Sequence, residues 1–139
     1  MRAMIALGLF AALAAGMASA QVAEPERTVM VFFDWGKFAV ERDYAGALDV
    51  EAATFPKAGR ASVAIEGHSD RSGPAGANLR SSRHRAEVVR DYLIAKGVPA
   101  DRIVVRAWGE AKPLIATADG VREPQNRRVD VRILGQGQD

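Results

Sequence analysis

Two short stretches of the sequence carry side chains whose types and spacing suit the binding of a small charged group. The first stretch, 67–73, contains Asp70, and the second, 78–85, ends at Arg85. We expect the first stretch to follow the end of a strand and the second to begin a helix. Ligands of α/β sheets usually bind at the carboxyl ends of strands, and helix N-termini attract anions. Asp70 can take an ammonium group and Arg85 can grip a carboxylate with two hydrogen bonds, a pairing that suits a zwitterion.

The same pair also has an interpretation that involves no ligand. Asp70 could cap a turn, or it could pair with Arg85 and brace the loop, since many ion pairs have no role beyond structure. The spacing of the residues leaves both interpretations open.

Chemistry by the neighbouring residues is not expected. His68, Ser69 and Asp70 carry the groups of a catalytic triad, but three consecutive residues cannot adopt its geometry. His68 and Asp70 are also too few for a defined metal site, and the chain has no cysteine to add. We therefore predict no enzyme activity, no metal and no cofactor.

The elements that must position these side chains follow from hydrophobic patterning. Four apolar or alternating stretches predict strands, and two stretches with apolar residues at helical spacing predict helices. The expected order is β-α-β-α-β-β, with strands at 28–33, 61–66, 103–108 and 128–133 and helices at about 43–55 and 78–96.

This order predicts an α/β fold, with one mixed four-stranded sheet and the helices packed on one face. The two helical crossovers favour parallel neighbours, and the last two strands are expected to pair antiparallel. In the final strand Val129, Val131 and Ile133 face one side, and the charged residues between them face the other.

Three aromatic side chains stand out from this pattern. Trp108 and Tyr92 lie in apolar patterned segments, so we predict that they are core residues. Trp35 instead follows a strand end in a loop with Gly36, near the proposed mouth of the site. Exposure of Trp35 there would favour contact with a ligand or partner.

The first twenty residues differ in composition from the rest of the chain. Arg2 is their only charge, and Ala18-Ser19-Ala20 matches the A-x-A cleavage pattern of secretory signal peptides. An uncleaved membrane anchor is the alternative, and no later segment approaches a membrane-spanning length. We expect a signal peptide at 1–20, a lead-in at 21–27, one domain at 28–134 and a tail at 135–139.

Composition limits the classes of partner. The formal net charge is +2, from 19 basic and 17 acidic residues, which is too even for a typical nucleic-acid binder. The arginines of the second helix are balanced by Glu87 and Asp91, so we expect a solvated face there. The absence of cysteine excludes disulfides and a lipid anchor attached through cysteine.

Several groups of residues form an ordered set that covers about 28–133. They are Gly67-His68-Ser69-Asp70 with Gly73; Asn78 with Ser82 and Arg85-Ala86; Val31-Phe32-Phe33-Asp34; Gly97-Val98 through Arg102-Ile103; Gly109-Glu110 with Pro113; and Gln125-Asn126-Arg127-Arg128-Val129. This set resembles the motifs of OmpA-like peptidoglycan-binding domains, whose signature includes GHTDxxG…NxxLSxxRA and QNRRV. Motifs in the right order are far more specific than any one alone.

The resemblance implies noncovalent binding of peptidoglycan through the diaminopimelate group of its stem peptide, tethering the protein or its complex to the cell wall. By motif position, Asp70 and Arg85 hold the amino and carboxylate groups of the ligand, and Asp34, Asn78 and Arg127 support them. The resemblance also implies a periplasmic location at the cell wall. It leaves open whether the protein associates with the outer membrane or with an envelope protein complex.

Two other functions remain open. A cell-wall hydrolase needs a nucleophile, a metal or a paired acid and base, and the acidic candidates Asp34, Asp70 and Glu66 lack an evident catalytic partner. An assembly module with weak or lost wall binding is the other alternative. It is raised by Ala77 and Ser81, which stand where the family commonly has tyrosine and leucine.

Overall fold

A computed structural model describes residues 27–135 of the chain. The expected signal peptide, nearly all of the lead-in and the last residues of the tail lie outside the described residues. The predicted order of strands and helices is confirmed, and so is the α/β fold class. The elements are β1 (Thr28–Phe32), α1 (Arg42–Thr54), β2 (Ser62–His68), α2 (Ala75–Ala95), β3 (Ile103–Gly109) and β4 (Arg128–Leu134).

The four strands form one mixed sheet in the order β1-β4-β2-β3. β2 and β3 are parallel, as the helical crossover predicts, and β4 is antiparallel to both β1 and β2. The predicted pairing of the last two strands is wrong, because β4 lies between β1 and β2. The long segment 110–127 lets the chain pass β2, and the interior position buries Val129 and Val131 completely or nearly so.

Two element boundaries differ from the prediction in ways that affect the site. α2 begins at Ala75 rather than near Asn78, because Pro74 stands just before the first turn, where a proline is well tolerated. β2 continues through Gly67 and His68, which pair with the end of β3. The proposed binding loop is therefore shorter than expected, and it joins a strand directly to a helix.

The core lies between the sheet and the two helices. Its buried apolar side chains come from both layers: Val31, Phe33, Leu48, Ala52, Phe55, Ala61, Val63, Ile65, Ala86, Val89, Leu93, Val98, Val129 and Val131. Tyr92 packs against this cluster, as predicted. Neither helix in residues 27–135 combines the length and the apolar character that a membrane crossing requires.

The prediction that Trp108 belongs to the core is wrong. Along β3, Ile103 and Val105 pack against the core, so alternation turns Trp108 to the face of the sheet without helices. There its indole N–H donates to Glu66 at 3.1 Å, and the ammonium group of Lys112 lies 3.5 Å from the centre of one of its rings.

α2 approaches the sheet closely at two glycines. A Cβ atom on Gly67 would overlap the backbone carbonyl oxygen of Ser82, and one on Gly109 would lie 3.2 Å from the backbone of Leu79. Gly109 also has a φ of +56°, and its N–H donates to the hydroxyl of Ser82 at 3.0 Å. This contact sets the position of α2, and hence of Arg85 one turn further on, against the ends of β2 and β3.

Replacing Gly67 with alanine should destabilise the fold. Because the new methyl group would meet backbone rather than a movable side chain, we expect the free energy of unfolding to fall by about 1–3 kcal/mol. Gly46→Ala is the matched control, since Gly46 lies inside α1 with no atom within 4 Å of its Cβ position. That variant should be stabilised by roughly 0.5–1 kcal/mol. Denaturant titration of both variants measures the difference, and equal stabilities would contradict the close approach.

Candidate functional site

A pocket of about 210 Å³ opens where the end of β1, the loop after β2 and the first half of α2 meet. Four of the five residues singled out from the sequence line it. Its lining residues are Trp35, Gly36, Phe38, Ser69, Asp70, Ser72, Gly73, Ala77, Asn78, Ser81, Arg85 and Arg127.

Asp70 is buried at the base of the pocket, with 3% of its surface exposed. Its Oδ1 accepts hydrogen bonds from the backbone N–H and the hydroxyl of Ser72, at 3.2 and 2.6 Å. Its Oδ2 accepts bonds from the N–H of Glu123 at 3.2 Å and from Nη1 of Arg127 at 2.8 Å. Asp70 therefore caps its own turn and also braces a distant loop.

The ion pair of Asp70 is with Arg127 rather than with Arg85, the partner that the bracing interpretation named. Arg127 also donates from Nε to the carbonyl oxygen of Phe33 at 3.0 Å, so its guanidinium joins the end of β1 to the loop after β2. Arg128 points to the opposite face and pairs with Asp130, as the alternation of a strand predicts.

The surroundings of Asp70 favour its charged form. Burial opposes ionisation, but the hydrogen bonds from Ser72, Arg127 and Glu123 outweigh it, so the pKa of Asp70 lies below its ordinary value. Asp70 is therefore ionised at neutral pH, and its charge is largely matched by Arg127.

Arg85 is buried to a similar degree, at 3% exposure, but no carboxylate in residues 27–135 forms an ion pair with it. Nε donates to the carbonyl oxygen of Lys37 at 3.1 Å, and the guanidinium carbon lies 5.5 and 5.2 Å from the ring centres of Phe33 and Phe38. Within residues 27–135 its terminal nitrogens make no hydrogen bond, although the residue lines the pocket.

The electrostatics of Arg85 favour an incoming anion. Burial and the nearby charge of Arg127 both lower the pKa of Arg85, and the charge of Asp70 raises it in part. Asp70, Arg85 and Arg127 together carry one excess positive charge in a mostly desolvated space. A carboxylate placed against Arg85 would balance this charge and satisfy the unused donors.

Two polar side chains complete the pocket in different ways. Asn78 donates from Nδ2 to the carbonyl oxygen of Gly73 at 2.9 Å and to Glu110 at 2.7 Å, so it shapes the loop. The hydroxyl of Ser69 is buried in the lining and has no hydrogen-bond partner in the described part of the chain. Sequence inspection did not single out Ser69 for binding, although it stands next to Asp70.

Asp34 does not join this pocket, which differs from the expectation that it supports the ligand. Because Phe33 points into the core, the side chain of Asp34 points away from it. The carbonyl oxygen of Asp34 accepts a hydrogen bond from the N–H of Lys37 in the turn that follows. Asp34 is exposed and lines a separate groove of about 400 Å³ with residues that include Glu41 and Tyr44.

Comparison with known proteins gives one consistent result. The sequence profile of one family, described as the OmpA family, matches residues 32–127. A peptidoglycan-associated lipoprotein of Rhizobium meliloti is 35% identical over 105 residues, which is 76% of this chain and 59% of that protein. Outer membrane protein A of Yersinia pseudotuberculosis is 37% identical over 109 residues, which is 72% of this chain and 29% of that protein. The chain thus spans only part of each of these relatives.

A solved structure shows the same fold. The crystal structure of the peptidoglycan-associated lipoprotein from Burkholderia pseudomallei superposes with a TM-score of 0.69 at 28% identity. The match covers 76% of this chain and 89% of that one. The strand order that sequence patterning missed is therefore part of a fold already seen by crystallography.

Replacing Asp70 with asparagine should weaken the fold most at neutral pH. The variant leaves Arg127 buried without its partner, so we expect a loss of about 3–5 kcal/mol near pH 7. Because the folded pKa of Asp70 lies below the ordinary 3.8, its contribution is complete above that value and is lost as the pH falls through the folded pKa.

Denaturant titration of both proteins between pH 7 and pH 2 measures this dependence. The stability gap between wild type and Asp70→Asn should narrow only below about pH 4, given the ordinary pKa of an aspartate. The exposed Asp101, replaced by asparagine, is the matched control and should show a small gap throughout. A gap for Asp70→Asn that stays constant over the whole range would contradict the assignment.

Proposed function

The chain belongs to the OmpA family, and we propose that it binds peptidoglycan noncovalently and so holds itself, or a complex that contains it, at the bacterial cell wall. The names of the Rhizobium and Burkholderia relatives, which are peptidoglycan-associated lipoproteins, support this proposal. The observation that carries it is Arg85, a buried cation with unused donors in the same pocket as a buried, ionised Asp70.

We propose that the ligand is the free zwitterionic end of the diaminopimelate residue in the stem peptide. Its carboxylate would lie against the terminal nitrogens of Arg85, where a planar guanidinium can donate two parallel hydrogen bonds. The buried hydroxyl of Ser69 supplies a further donor for the same group. A pocket of about 210 Å³ has room for one such end group.

The ammonium group would meet Asp70, but the hydrogen bonds of this residue set a condition. An ionised carboxylate has about four acceptor sites. Each oxygen of Asp70 already accepts two bonds, so one donor must turn away when the ammonium arrives. The hydroxyl of Ser72 is the donor that can do so, because it rotates freely about its own bond while the other three are fixed by backbone or by a second contact.

Affinity per site is expected to be modest. Charge-assisted hydrogen bonds contribute roughly 1.5–3 kcal/mol each, and the ordering and desolvation of both partners offset much of that gain. A polymer that repeats the same group compensates by raising the effective concentration of ligand. Retention at the wall then depends on the number of sites within reach.

The two other functions named from the sequence have less support. A hydrolase would use a paired acid and base, but His68 does not line the pocket. It is buried on the other face of the sheet, where its Nε2 atom lies 3.4 Å from Oδ2 of Asp130. An assembly module with lost wall binding would have a filled or missing pocket. Ala77 and Ser81 instead line the same pocket as Arg85.

Replacing Arg85 with glutamine should release the protein from purified sacculi. The net loss of about one charge-assisted bond, since the glutamine amide can still donate to the carboxylate, predicts an affinity about 10–100 times lower. Co-sedimentation of the folded proteins with sacculi measures this loss, and Asp70→Ala should behave in the same way. Arg83→Gln is the matched control, because Arg83 lies on the same helix but is exposed outside the pocket. Equal pelleting of all four proteins would show that the proposed site is wrong.

The two serines of the pocket should respond in opposite ways. Ser69→Ala removes a donor that has no partner in the described residues, so the affinity for a stem peptide should fall about 10-fold or more, as for one hydrogen bond to a charged group. Ser72→Ala removes the donor that competes with the ammonium, so the affinity should stay the same or rise. Calorimetric titration with a soluble stem tripeptide compares the two, and a marked loss in Ser72→Ala would contradict the displacement of its hydroxyl.

A further inference from the structure

Just outside the pocket, an exposed arginine is stacked on an exposed tryptophan. The guanidinium carbon of Arg122 lies 3.9 Å from the ring centre of Trp35, within the range of a strong cation–π contact. Trp35 lines the pocket and keeps 55% of its surface exposed, although the guanidinium covers part of it. The pair therefore stands at the mouth, between the turn after β1 and the long loop before β4.

The loop that carries Arg122 is fastened to the base of the site. The N–H of Glu123, the next residue, donates to Asp70 at 3.2 Å, and the N–H of Gly120 donates to the carbonyl oxygen of Arg71 at 2.6 Å. Asp119 also pairs with Arg71. These contacts hold the backbone on both sides of Arg122 relative to Asp70, so the residue starts from a fixed point beside Trp35.

The N–H donors of this guanidinium are available to a ligand. Its central carbon lies over the indole ring, and an arginine presents five N–H donors in a planar fork around that carbon. Within residues 27–135 Arg122 forms no ion pair and no side-chain hydrogen bond, unlike the neighbouring Arg71 and Arg127. An oriented, unpaired guanidinium at the rim of a pocket is suited to a carboxylate, which it can hold through two bonds.

We propose that Arg122, held in place by Trp35, is a second carboxylate subsite of the same binding site. This inference rests on the proposed function, because it concerns the part of the stem peptide that lies beyond the pocket. A stem peptide whose zwitterionic end lies in the pocket would extend from the mouth, where Trp35 and Arg122 stand. Its other carboxylates, on the glutamate and on the peptide-linked centre of diaminopimelate, are the groups that Arg122 would bind.

The test uses two soluble peptides that differ only in these groups. One is L-Ala-γ-D-Glu-meso-diaminopimelate with all carboxylates free. The other has carboxamides on the glutamate and on the peptide-linked centre, and it keeps the zwitterionic end. Calorimetric titration of wild type should show about 5–10-fold tighter binding of the acid peptide, and Arg122→Gln should lose this difference without weaker binding of the amide peptide.

Two further variants separate the subsite from a general change in charge. Arg83→Gln removes one exposed positive charge elsewhere and should bind both peptides as wild type does. Trp35→Phe keeps an aromatic support and should retain most of the preference for the acid peptide, whereas Trp35→Ala should lose it. Circular dichroism confirms that each variant is folded.

The possible failures are distinguishable. If wild type binds neither peptide, the proposed function itself is wrong. If wild type binds both peptides and Arg122→Gln keeps the full preference for the acid peptide, only the second subsite is overturned. Equal weakening of both peptides by Arg122→Gln would also overturn it, since the arginine would then not act through a carboxylate.

Discussion

The buried ion pair of Asp70 and Arg127 is the contact on which the architecture of the site depends. It joins three segments that are far apart in the sequence: the end of β1 through Phe33, the loop after β2, and the loop before β4 through Glu123. A buried pair of this kind is costly to desolvate and is retained where it fixes one arrangement among several. Here it fixes the floor of the pocket and leaves Arg85 as the cation whose charge is still to be matched.

Four residues of the pocket could be named from the sequence, because they stand in the motifs of the family that the sequence resembles. Asp70 follows β2, Asn78 and Arg85 lie in the first half of α2, and Arg127 precedes β4. Patterning places the strand and helix ends to within a few residues, and the resemblance to the family implies which of the nearby side chains share one site. Asp34 was the exception, because one residue decides which way a side chain points at the end of a strand.

The pairing within the pocket depends on contacts that patterning does not describe. Alternation in β4 shows which side chains face the core, but it does not show which strands lie on either side, and so it missed the insertion of β4 between β1 and β2. Asp70 pairs with Arg127, while Arg85 lies against the rings of Phe33 and Phe38 and donates to the carbonyl oxygen of Lys37. These three groups belong to a segment almost fifty residues earlier, a separation that local rules do not bridge.

The direction of β1 has a mechanical consequence. Thr28 pairs with Arg132 at one end of the sheet, and Phe32 pairs with Arg128 at the other end, beside the pocket. A pull between any chain that precedes Thr28 and a ligand held in the pocket would therefore act along the length of β1. The hydrogen bonds between β1 and the antiparallel β4 would then be loaded together, in shear, and would not break one at a time from one end.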